Sequence, residues 1–133
     1  MSQENVKIVR RFFAAFTAGD MDAFMALLAD DAVAQTDPSF PEGGTLVGPD
    51  AIRRFHEGLH EGWRGGGEVV VKDVRTAGDR VFASVDWTAI GEASGIETSS
   101  QWYPVFWLPD GKIARFRYFS GRAEALEAAG LSE

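Results

Sequence analysis

The chain is predicted to fold as α+β, a curved antiparallel sheet closed by helices over a pocket. Apolar residues recur at helical spacing through the first half of the sequence. From Glu68 the period switches to two, and glycine-containing turns divide the second half into four strand-like runs. Asp37, Asp86 and Ser120 fall where strands are expected to face inward, which places polar groups on the pocket wall.

A first helix opens near Ser2 and carries Val6, Val9, Phe13 and Phe16 in one row, with Ile8 and Phe12 in the next, before Gly19 stops it. Asp20 then caps a short second helix with Met21, Phe24, Met25, Leu27 and Leu28 at helical spacing, closed by Ala29-Asp30-Asp31. Ala32 to Thr36 is a short strand running into Asp37-Pro38, where proline forces extended geometry on the residue before it. Ser39 to Gly48 is expected to be a loop forming a rim or lid. Pro49 suits the first turn of a third helix whose buried stripe is Ile52, Phe55, His56, Leu59 and Trp63, and Gly65-Gly66-Gly67 ends it. The strand runs are Glu68 to Ala77, Arg80 to Gly91, Ile96 to Pro109 and Lys112 to Ser120, read as successive hairpins of one antiparallel sheet. A last amphipathic segment, Ala123 to Ala129, stops at Gly130.

At 133 residues, with 45% hydrophobic and 12% aromatic content, one domain over 1–133 is expected, able to bury a real core. A formal charge of −7 repels phosphate backbones and anionic membrane surfaces, so neither nucleic acid nor membrane is an expected partner. Cysteine is absent, which excludes disulfides, thiolate nucleophiles and Cys-ligated zinc. No signal-like or membrane-length apolar run is visible, and a cytoplasmic protein is expected.

Asp37 is the leading candidate for a catalytic base, since a carboxylate desolvated under an apolar rim becomes a better proton acceptor. The alternative is an Asp that caps the following turn. Asp86, alternating with Phe82 and Ser84 toward the expected interior, is the second carboxylate, with a salt bridge to an arginine such as Arg117 as its structural alternative. His56, as a polar group in the pocket, and Tyr118, whose phenol needs a partner when buried, are candidate catalytic residues that with Asp86 would orient or protonate the substrate beside the Asp37 base. Phe12, Phe16, Phe55, Trp63, Trp102, Phe106 and Phe116 are candidate ligand-lining aromatics, each with a core role as the simpler reading, and Ser84 and Ser120 add polar wall positions. His56 to His60 spells HEGLH, a literal match to the zinc-protease pattern. There is no third histidine, Gly58 interrupts the helix and no later helix supplies a well-placed Glu, so no metal site and no cofactor are expected.

The strings IVRRFFAAFTAGDMDAFMALLADDAV, GTLVGPDAIRRF and DGKIARFRYFSGRAEALEAAGL resemble the SnoaL-like branch of the nuclear transport factor two superfamily, which also holds ketosteroid isomerases and limonene epoxide hydrolases. The resemblance implies a cone-shaped fold with three helices over a bent sheet, and a homodimer formed through the outer sheet face. It is specific for fold and weak for reaction. In the isomerase pattern the base of an Asp-Pro pair matches Asp37-Pro38, allowing one extra strand residue. The oxyanion-hole Tyr falls at Phe12 and the protonated Asp at or beside Pro104, neither of which donates a side-chain hydrogen bond. In the epoxide hydrolase pattern the Arg-x-Asp pair falls on Ser84 and Asp86 and the remaining Asp on Ser120. The SnoaL cyclase acid/base falls on Tyr118, a poor base near neutral pH.

The function expected from these residues is a pocket for a small hydrophobic metabolite, with cofactor-independent proton transfer of isomerase, cyclase or hydrolase type as its chemistry. A non-catalytic ligand-binding or protein-interaction module is the alternative.

Overall fold

Seven strands form one mixed sheet in the computed structural model, which describes residues 2–37 and 44–132, and four α-helices pack on it. Helix α1 (Ser2–Ala18) buries Val9, Phe12, Phe13 and Phe16 along one face and ends where Gly19 takes a φ of +72°. The Asp20 side chain accepts a hydrogen bond from the Ala23 amide at 3.1 Å and so starts α2 (Met21–Ala26). That helix is shorter than its apolar spacing predicts. Leu28 already belongs to strand β1 (Leu28–Gln35), drawn out by pairing with Ile113.

Strand β2 (Thr45–Val47) pairs antiparallel with β1 inside what the sequence reads as a loop; the rest of the expected rim, residues 38–43, lies outside the described residues. Helix α3 (Pro49–Gly62) has proline in its first turn, and a 3-10 turn at Arg64–Gly66 leads to β3 (Glu68–Ala77). β4 (Arg80–Ile90) forms the expected hairpin with β3.

The run from Ile96 to Pro109 is two strands rather than one. β5 (Glu97–Trp102) and β6 (Val105–Trp107) both pair with β4 and are separated at Tyr103-Pro104. Proline has no amide hydrogen to give the ladder, and here its carbonyl accepts from the Ala83 amide at 2.9 Å. β7 (Ile113–Arg117) pairs antiparallel with β6 but parallel with β1, so the sheet is mixed, not wholly antiparallel. The successive hairpins fix the direction of β7, whereas β1 arrives separately from the helices and matches it. Strand order is β2-β1-β7-β6-β4-β3, with β5 beside β4.

Both faces of this sheet are covered over part of their extent. The main core joins Val81, Ala83 and Val85 of β4 with Phe106, Phe116 and the apolar faces of α1 and α2. On the opposite face Phe82 and Val105 pack with Ala125, Leu126 and Ala129 of α4 (Arg122–Ala129). The expected phase of β4 is therefore reversed, because Phe82 is roofed by the last helix while the smaller valines and alanine fit beneath the first ones. Among the described residues no helix is long and apolar enough to cross a membrane.

Candidate functional site

The buried stripe of α3 carries one polar residue into the main core. His56 is 1% exposed and its ring lies among those of Phe12, Phe16, Phe24, Phe55 and Phe116. Both ring nitrogens are engaged. Nδ1 lies 2.7 Å from the Ile52 carbonyl oxygen one helical turn back, and Nε2 lies 2.7 Å from the Tyr118 hydroxyl oxygen. A carbonyl only accepts, so the proton of the neutral ring sits on Nδ1, and Nε2 must accept from the phenol. Tyr118 follows β7, and its amide donates to the Gln35 carbonyl at 3.0 Å, which holds the side chain on the same side as Phe116.

Burial keeps this pair neutral. Loss of hydration pushes the His56 imidazole down to about 4, helped by the neighbouring His60 and opposed by the Ile52 carbonyl, which stabilises the protonated ring. The same desolvation raises the Tyr118 phenol well above its ordinary value. Neither group carries charge near neutral pH.

Beside the pair lies a cavity of about 50 Å³. Its walls are Phe12, Phe13 and Phe16 of α1, Phe55, His56 and Leu59 of α3, Val69, Val85 and Trp87 of β3 and β4, Trp102 of β5, and Tyr118. The two indole N–H groups are already bonded, Trp87 to the Gly66 carbonyl and Trp102 to the Ser100 hydroxyl, each at 2.9 Å. Both rings are thereby fixed. With His56 and Tyr118 bonded to each other, the cavity presents an almost wholly apolar surface. The triglycine supports the arrangement: Gly67, at a φ of +86°, lets Trp87 approach to where a Cβ would lie 2.5 Å from Nε1. Gly66 likewise gives way to the His60 ring.

The structure thus gathers Phe12, Phe16, Phe55, His56, Trp102 and Tyr118 from the candidate residues. Phe106 and Phe116 are fully buried behind the cavity, their rings 5.1 and 5.2 Å from that of Phe12, as core. Trp63 stands outside it, edge-on to Trp87 at 5.1 Å. Ser120 is exposed beyond β7. Ser84 and Asp86 alternate with Val85 and Trp87 and so occupy the other face of β4, correcting their expected inward direction. There Asp86 reaches Lys72 at 3.6 Å, not Arg117. Asp37 lies just past β1 and is not among the described residues that line the cavity; Ala32, Ala34 and Thr36 are the buried row at that end of the strand.

Phe13, Val85 and Trp87 are wall residues the sequence did not single out as such. Their signal was the alternation of β4 and the helix face of α1, which could be read only once the inner face was known. The HEGLH segment does not converge as a ligand set. His56 has used both nitrogens, Glu57 accepts from Arg53 at 3.0 Å, and His60 packs against Phe16 with the rings tilted by 55° and their centres 4.7 Å apart. Among the described residues, His60 Nε2 is buried without a hydrogen-bond partner.

Residues 9–116 match the SnoaL-like domain family. No curated protein matches the chain. Among solved structures, Bal32a from a soil-derived mobile gene cassette is 26% identical, with 96% of each chain covered and a TM-score of 0.78. A protein from a Jannaschia species described as a SnoaL-like polyketide cyclase is 23% identical, covering 98% of this chain and 94% of its own, with a TM-score of 0.78. A nuclear transport factor two-like protein of Burkholderia pseudomallei is 19% identical, covers 95% of this chain and 97% of its own, and gives a TM-score of 0.79. The last two likenesses speak to fold alone.

Proposed function

The chain belongs to the SnoaL-like domain family, and we propose that it binds one end of a small, largely apolar molecule in the aromatic cavity. The observation that carries this reading is the cavity itself, walled by aromatic and aliphatic side chains around a Tyr118–His56 pair that satisfies its own polar groups. A concave apolar site with a few fixed polar groups is the usual form of a small-molecule site. Two structural neighbours, each 18% identical, hold small molecules of their own: one of ketosteroid isomerase-like fold from Catenulispora acidiphila is in complex with trimethylamine, and TerC was co-crystallised with polyporic acid.

Size refines the reading. At about 50 Å³ the space is far below the roughly 300–1,000 Å³ of pockets that engulf drug-sized ligands. A ligand therefore inserts one ring or alkyl end, and the half-buried indoles of Trp87 and Trp102 flank the part that remains outside. Binding is preferred here to proton transfer by Asp86, because that carboxylate lies on the other face of β4 beside Lys72.

The test is titration of the protein with small aromatic and polycyclic phenols and alcohols, followed by tryptophan fluorescence and by mass spectrometry for product. Saturable binding without chemical change is expected, weakened about tenfold or more in Trp102→Ala through loss of a stacking wall. An absence of saturable binding across the panel overturns the proposal, and turnover of a bound compound would return catalysis to the site.

A further inference from the structure

Resting on the ligand-binding reading above, we infer that the cavity admits a short alkyl end, about one or two carbons long and free of polar atoms, and that Val85 sets how far this end reaches. The ring and the oxygens or nitrogens of such a ligand stay at the mouth. The ligand class is thus a small ring compound bearing a methyl or ethyl branch, with its polar groups at the opposite end. Two properties of the cavity lead to this class, its polarity and its size.

The wall residues with polar side-chain atoms are His56, Trp87, Trp102 and Tyr118, and each is bonded within the protein. His56 spends its ring nitrogens on the Ile52 carbonyl and the Tyr118 hydroxyl, while Trp87 donates to the Gly66 carbonyl and Trp102 to the Ser100 hydroxyl. An inserted hydroxyl, carbonyl or N–H therefore gives up water for a surface that is almost wholly apolar. A buried polar group left without a replacement partner weakens a complex about tenfold to a hundredfold. Hydrocarbon loses nothing of this kind.

Each methylene buried gains about fourfold in affinity for as long as there is room. The room is about 50 Å³. An apolar cavity that holds benzene measures roughly 150 Å³, and one water-sized group occupies ~30 Å³, so a whole ring is too large and a methyl or ethyl group fits. The buried walls are also held from behind. The Phe12 ring lies 4.6 Å from that of Phe24 and 5.1 and 5.2 Å from those of Phe106 and Phe116, and the Phe16 and Phe55 rings lie 5.6 and 5.1 Å from that of His56. Close-packed rings do not yield to a further carbon. Val85, 3% exposed, is the aliphatic member of the buried wall, whereas Leu59 and Val69 are half-buried. Its length is the specificity-determining dimension, because it changes the depth without disturbing an aromatic ring.

The experiment titrates the whole protein, by calorimetry and ligand-observed NMR, with phenol and its para-methyl, para-ethyl, para-propyl and para-butyl derivatives. A further ligand, para-(hydroxymethyl)phenol, puts a hydroxyl where para-ethylphenol has its last methyl. Affinity is expected to rise about fourfold per carbon as far as the methyl or ethyl compound and then to level or fall. The hydroxymethyl compound is expected to bind about tenfold to a hundredfold more weakly than para-ethylphenol. Val85→Ala is expected to move the maximum outward by about one carbon and Val85→Ile to move it inward, so that failure of one variant to fold leaves the other to report. A flat series, a gain that continues through para-butylphenol, a hydroxymethyl loss below about tenfold, or a maximum that stays put in a folded Val85 variant overturns the inference, while saturation by any member keeps the ligand-binding reading. Failure of every member to saturate the protein overturns both.

Discussion

The two faces of β4 solve the problem of polar groups in opposite ways. One row, Val81, Ala83, Val85 and Trp87, looks toward α1 and α3 and shares its space with two neutral polar side chains that satisfy one another. The other row holds Phe82 under α4, then Ser84 and Asp86 as the strand leaves that cover. Asp86 remains 32% exposed by side chain and meets Lys72 across partly wet surface. A carboxylate is expensive to bury without several partners, whereas a histidine and a tyrosine can close a hydrogen-bonded circuit without charge. A search guided by charge alone leads to the outer face of this strand, away from the aromatic cavity.

The comparison breaks most severely if the aromatic packing of the inner side fails. Phe12 is 1% exposed and its ring touches those of Phe13, Phe24, Phe106 and Phe116. Phe12→Ala is expected to lose about 3–5 kcal/mol of stability, read as a lower urea midpoint at unchanged slope. A loss below about 1 kcal/mol would mean that the rings are not close-packed around the cavity.

Acid provides the second test, and it acts on the inner face through His56. The folded imidazole titrates at about 4, below its unfolded 6.5, so between these values the unfolded chain binds the additional proton. The stability owed to the neutral ring is complete above pH 6.5 and is lost as the pH falls through the window toward 4. The full loss is of order 3 kcal/mol. Carboxylates elsewhere also weaken the fold in acid, so the measurement is the difference between the native chain and His56→Gln. That variant is expected to show a shallower decline between pH 6.5 and 4.5, and parallel curves would place the imidazole in water.

Tyr118→Phe probes the same circuit without acid. Removing one oxygen leaves His56 Nε2 without its donor, at an expected cost of about 1–3 kcal/mol in urea denaturation. A neutral outcome would show that another donor reaches the ring.

Much of this architecture was legible in the chain. Helical spacing located α1 and α3, and Gly78-Asp79 and Pro109-Asp110-Gly111 placed turns that the structure keeps. The bend at Pro104 and the parallel pairing of β1 with β7 were not legible, since both depend on which strands become neighbours. His56 and Tyr118 could be named singly from their chemistry. Their contact could not, because 62 residues separate them and neither carries a spacing signal for the other. Asp86 was assigned inward for a similar reason: both rows of β4 carry an apolar residue near the start, Val81 and Phe82, so a period of two says that faces differ without saying which is turned to the helices.

The mildest change sharpens the contrast from the outside. Asp86→Asn removes a charge whose partner Lys72 is itself 57% exposed, and the pair is separated by 3.6 Å. Exposed pairs of this kind contribute roughly 0–1 kcal/mol because solvent screens them and ordering two side chains offsets the attraction. The urea midpoint of Asp86→Asn is therefore expected to stay within about 0.5 kcal/mol of the native value, with ligand affinity unchanged. A loss comparable to that of Tyr118→Phe would require the carboxylate to serve something beyond Lys72, and the outer face of β4 would then need a partner of its own.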